Sequence, residues 1–79
     1  MRRVGKMNEG SKTFGTVAQA ERAGIEVGDR HNLNFVIAAD VITGVLNTGK
    51  VRFYPIFVLA ADQFRFASML DTLGFQVVG

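Results

Sequence analysis

Two six-residue stretches of this 79-residue chain are almost the same phrase. Phe35–Asp40 reads F-V-I-A-A-D and Phe57–Asp62 reads F-V-L-A-A-D, five identities in six positions, 22 residues apart. Each is an apolar run ending in two alanines and a carboxylate, which predicts a strand that leaves a sheet at a turn. A chain of this length forms one domain and buries only about 60 to 65% of its unfolded surface, so two such strands must organise most of the core. Seven Phe among 48% hydrophobic residues suffice for that core without staples.

The flanking sequence predicts the remaining elements. Phe14, Val17 and Ala18 fall at helical spacing, and the pattern runs on through Glu21 and Arg22 to Gly24, predicting a helix over 13–23 with Ile25 as the apolar contact of its C-terminal cap. Gly24–Asp29 reads as a connection, with Gly28-Asp29 a turn signal. Leu33, Phe35 and Ile37 alternate with Asn32, Asn34 and Val36 as a half-buried strand enters the first phrase. Beyond Asp40, the β-branched residues and Asn47-Thr48-Gly49 favour a hairpin, while the echo of the second phrase offers a helical turn instead.

Lys50–Val58 is the clearest strand, with Val51, Phe53 and Phe57 on one side and Lys50, Arg52, Tyr54 and Ile56 on the other. Pro55 has no N–H for a ladder, which predicts an edge strand or a bulge there. Ala61–Leu73 reads as the best helix, with Phe66, Met69, Leu70 and Leu73 on one face, Gly74 as terminator and Phe75 folding back on Leu70. A short strand at Gln76–Val78 closes the chain.

The order predicts an α+β two-layer sandwich, two helices on a small mixed sheet. If residues 2–7 supply an edge strand, the order is the βαββαβ of ferredoxin-like domains; a helical middle segment gives βαβαβ with a parallel sheet instead. Residues 1–12 are read as a basic flexible segment or that edge strand, and 13–79 as the single domain.

Charge and chemistry narrow the function. Arg2, Arg3, Lys6 and Lys12 against Glu9 give residues 1–12 a net +3, so the remainder of a chain of net +2 carries −1. The absence of cysteine excludes disulfides and thiolate metal sites. No apolar run is long enough for a membrane span or a signal peptide, so the expectation is a cytoplasmic protein. His31 is the single imidazole, and neither a nucleophile triad nor a phosphate loop is present, so no catalytic residues, cofactor or metal are assigned. Asp40 and Asp62, the ends of the two phrases, would converge on a ligand only if their strands were parallel neighbours. The Gln19–Ile25 run has the spacing of a helix-turn-helix centre, but Gly28 and Arg30 interrupt what should follow it.

Two surfaces remain. Phe64 falls on the outward side of its helix; a phenylalanine there is either a second-layer core residue packed under the N-terminal segment or, if bare, a contact anchor or homodimer seam. The Lys50, Arg52, Tyr54 face would project from an open sheet, with Asn32 and Asn34 beside it. The leading expectation is a small non-enzymatic protein-binding module using Phe64, Arg65, Arg52 and Tyr54. It would act by surface occlusion, as a regulator or inhibitor of a larger protein assembly of the kind phage and other mobile elements carry. The alternative is nucleic-acid binding through Arg2, Arg3, Lys6, Lys50 and Arg52.

Overall fold

The computed structural model describes residues 12–42 and 49–79, with Ile42 described by its backbone alone. The elements are α1 (Val17–His31), β1 (Asn34–Ile42), β2 (Lys50–Val58), a 3-10 segment (Ala61–Phe66) leading into α2 (Ala67–Leu73), and β3 (Gln76–Val78). They make an α+β fold: two helices on a mixed sheet in the order β1-β2-β3. The expected strand at residues 2–7 lies outside the described residues.

The two copies of the phrase start opposite one another and run apart. Phe35 pairs with Phe57 in the antiparallel ladder of β1 and β2, and their rings meet at 5.6 Å. The first copy therefore has β2 beside it along its whole length, through Asp40 opposite Arg52 to Ile42 opposite Lys50. It stays strand. The second copy outruns its partner at Val58, which faces Asn34, the first residue of β1. Leu59 then turns to β3, donating its N–H to the Val78 carbonyl at 2.8 Å, and Ala61 begins the 3-10 segment. One hexapeptide thus takes two conformations because only one copy has a neighbour throughout. The hairpin expectation holds for the paired strands, its tip at 43–48 lying outside the described residues, and the antiparallel pairing rules out the βαβαβ alternative.

The ferredoxin-like arrangement is also corrected. In a split β-α-β unit another strand separates the two parallel strands. Here β3 pairs directly with β2, Ile56 with Gln76 through Val58 with Val78, and leaves no place between them at that end. The other half of this edge of β2 is occupied by a short extended stretch, Phe14, which exchanges both backbone hydrogen bonds with Phe53 at 2.7 and 2.8 Å.

This shared edge explains Pro55. It is fully buried in the central strand, with no bulge in the register, where an edge or a bulge was expected. Phe53 points its N–H toward Phe14, so Pro55, two residues on, points its nitrogen to the same side. That is the junction between the Phe14 stretch, which pairs with Phe53, and β3, whose pairing begins at Ile56.

Helix α1 is longer than the sequence pattern predicts. Thr16 caps it, its Oγ1 accepting from the Gln19 N–H at 3.2 Å, and it then runs through both Gly24 and Gly28. These glycines are contact points, not stops. A Cβ on Gly24 would stand 2.6 Å from the Phe35 ring, and one on Gly28 would stand 2.9 Å from the Leu33 carbonyl oxygen. With the buried Ala20 they form a stripe at four-residue spacing that lets the helix lie close on the sheet. The stop comes at Asn32, in the left-handed region at φ 56, whose N–H bonds the Gly28 carbonyl. Ile25 is accordingly an exposed mid-helix residue and no cap contact, and the helix-turn-helix spacing corresponds to no turn.

The core sits between the sheet and both helices: Leu33, Phe57, Leu59, Leu70 and Phe75. Phe57 and Leu70 are fully buried, which stabilises the fold by about 1.5–3 kcal/mol each. Phe57 also meets the edge of Phe75 at 5.4 Å. The second helix departs from expectation at its start, where the first turns are 3-10, and agrees at its end: Gly74 adopts φ 90 and the Phe75 N–H bonds the Leu70 carbonyl at 2.8 Å.

Candidate binding surfaces

The sheet face opposite the helices carries alternate residues of β2, and the structure changes the roles expected for them. Tyr54 is only 8% exposed, so its ring is not presented to a partner and the residue leaves the contact set. Burial, and secondarily the charge of Asp40, push its hydroxyl pKa up from the ordinary tyrosine value. Arg52 is half-buried and engaged: its Nε donates to Thr13 Oγ1 at 3.1 Å and a terminal nitrogen donates to the Thr13 carbonyl at 3.0 Å. Its first task is to tether the Phe14 stretch along β2. Lys50 and Asn34 are exposed, whereas Asn32 belongs to the cap of α1. Arg2, Arg3 and Lys6 lie outside the described residues.

Phe64 fits its expected position. It is 48% exposed on the 3-10 segment, with the tip of its ring against Gly79. The segment is fastened to the end of α1 by Gln63. Its Oε1 accepts from the Ala60 N–H at 2.9 Å, and its Nε2 donates to the Asn32 carbonyl at 3.1 Å. Next to Phe64, the Arg65 guanidinium lies 4.7 Å from the Phe66 ring, whose other neighbour is the His31 ring at 5.2 Å. His31 is thus in tilted ring contact with Phe66 at the C-terminal end of α1.

The two phrase-ending carboxylates are far apart. Asp40 faces Arg52 near one end of the hairpin, and Asp62 follows Val58 beyond the other. Six residues of strand, about 20 Å, separate those ends, so the pair forms no shared site. Asp40 instead accepts its neighbour Val41's N–H at 2.9 Å. Among the described residues no three His, Cys, Asp or Glu side chains gather as metal ligands, and no helix is long and apolar enough to cross a membrane.

A third surface was missed by the sequence reading. Along one flank of α1 a groove of about 500 Å³ opens between the helix, the Lys12–Phe14 stretch and the end of α2. Its apolar floor includes Phe14, Ala23, Val27 and Phe75, and Lys12, Arg22 and Arg30 stand around it with Glu26 as the one carboxylate among its described lining residues. The signal was present as the spacing Gln19, Arg22, Ala23, Glu26, Val27, Arg30, one face of a helix. It becomes visible only once α1 is known to continue past Gly24. No family model, curated protein or solved structure matches this chain.

Proposed function

We propose that this chain is a small non-enzymatic protein-binding module that acts by covering part of a larger protein. The observation that carries the reading is Phe64: a large aromatic side chain, half-exposed, held on a segment that Gln63 pins to α1, followed in sequence by the exposed Arg65, whose guanidinium lies over the Phe66 ring. Aromatic and arginine anchors on a fixed backbone lose little conformational freedom on binding and contribute disproportionately to interface energy. Occlusion of the partner's working surface follows from the size of the module. A regulator or inhibitor of a larger assembly, of the kind mobile elements carry, is the role such a unit suits. The nucleic-acid alternative retains less support, since the one aromatic that could stack from the sheet face is buried and Arg52 is committed to Thr13.

The test is capture of partners from source-cell lysate on the immobilised chain, with and without nuclease, alongside Phe64→Ala and an Arg65→Glu variant. A protein retained after nuclease and lost with Phe64→Ala supports the module. Loss of all bound material on nuclease treatment, or retention by both variants, refutes it.

A further inference from the structure

We infer that the groove along α1 is a docking site for an acidic, apolar-bodied peptide segment of a partner protein. The inference rests on the protein-binding reading and names the partner's chemistry at a second contact.

Three observations lead to it. The volume, about 500 Å³, is that of a built concavity able to take two or three large side chains. Its floor combines helix and sheet-edge residues: Ala23 and Val27 from α1, Phe14 from the stretch bonded to β2, and Phe75 from the turn after α2. These elements are fixed by the Phe14–Phe53 hydrogen bonds and by the Lys12 N–H to the Gly74 carbonyl at 2.9 Å, so the concavity is held open by backbone. Finally, the charges are unequal. Lys12, Arg22 and Arg30 face one Glu26, although residues 13–79 as a whole are slightly acidic.

The spacing of the cations selects the ligand. Arg22 and Arg30 are eight residues apart on one helix, about 12 Å along its axis. Lys12 lies across the groove, its Nζ 5.2 Å from the centre of the Phe75 ring. A single carboxylate cannot engage both arginines. A peptide helix with two carboxylates about two turns apart and a Leu, Ile or Phe between them would reach both and fill the floor. Nucleic acid is a poorer match. Glu26 lies between the two arginines and would repel a phosphate chain, and the aromatic rings contributed by Phe14 and Phe75 are floor residues of the core side.

The experiment selects dodecapeptides from a random phage-displayed library on the intact chain. The most enriched peptide is then synthesised with a fluorescein label and titrated by fluorescence anisotropy, with labelled oligo-dT of twelve nucleotides as a second probe. The expected peptides carry two carboxylates bracketing a large apolar residue. The expected effect of Arg22→Glu with Arg30→Glu is a loss of affinity of about tenfold or more, from two exposed attractions turned to repulsions. Both arginines are exposed but flank Glu26 at four-residue spacing, so the double reversal should lower the urea midpoint slightly without unfolding the chain, and the midpoint is measured on the same samples. Enrichment of peptides without paired acids, affinity unchanged by the double reversal, or tighter binding of oligo-dT overturns the inference. Selected peptides that depend on Phe64 but not on the two arginines refute the groove and leave the module standing. No enrichment at all overturns both.

Discussion

Replacing Gly28 by alanine should destabilise the protein even though alanine is the better helix former. In an exposed helix interior the exchange stabilises by about 1 kcal/mol. Here the added Cβ would sit 2.9 Å from the Leu33 carbonyl oxygen, with the Phe35 and Phe57 rings at 3.6 and 3.7 Å behind it. The obstacle is backbone, and that backbone is fixed: the Gly28 carbonyl accepts from both the Asn32 and Leu33 N–H groups, the latter at 2.8 Å. Relief requires the turn between α1 and β1 to move away and both bonds to lengthen. Overpacking of this kind costs about 1–3 kcal/mol, and each weakened bond adds up to about 1 kcal/mol, against the propensity gain. The net is a loss of about 2 kcal/mol. For a domain of this size that lowers the melting temperature by about 8–16 °C. Urea unfolding followed by far-ultraviolet circular dichroism measures it. Gly15→Ala is the control, because its Cβ would meet nothing nearer than 3.6 Å, and it should change stability by less than about 0.5 kcal/mol. A Gly28→Ala protein as stable as the parent, or more so, would refute the close approach of α1 to the 32–34 turn.

Three further outcomes follow from single side chains. Tyr54 has its pKa raised in the fold, so the folded state holds its proton where the unfolded chain has lost it. Stability is therefore full below the unfolded tyrosine value of about 10 and falls as pH rises above it, and Tyr54→Phe should flatten that alkaline decline in pH-dependent urea midpoints. Arg52→Ala removes both bonds to Thr13 and should cost about 1–2 kcal/mol, with amide exchange of Phe14 and Phe53 accelerating before that of the core strands; unchanged protection there would contradict the tether. Thr16→Ala should cost about 1 kcal/mol and be largely restored by Thr16→Ser, since the contribution is one hydroxyl on the Gln19 N–H, with the thermal midpoint as readout.

Residue pattern alone determined the α+β class, the strands that carry Phe35 and Phe57 though not how they pair, the Gly74 stop with Phe75 turned onto Leu70, and the outward side of the helix for Phe64 though not its exposure. These are local matters: two-residue alternation, helical spacing and a glycine at positive φ are written in adjacent residues. Tertiary structure decided the rest. Gly24 and Gly28 read as stops in isolation and became contact points because Phe35 and Leu33 occupy the space a side chain would need. Pro55 read as an edge signal and was admitted to the central strand because two short partners share that edge of β2. The duplicated hexapeptide shows the division most directly: its two copies have nearly the same intrinsic preferences, but the first has β2 beside it to its end, whereas the partners of the second stop at Val58 and Leu59, after which it enters a helical turn.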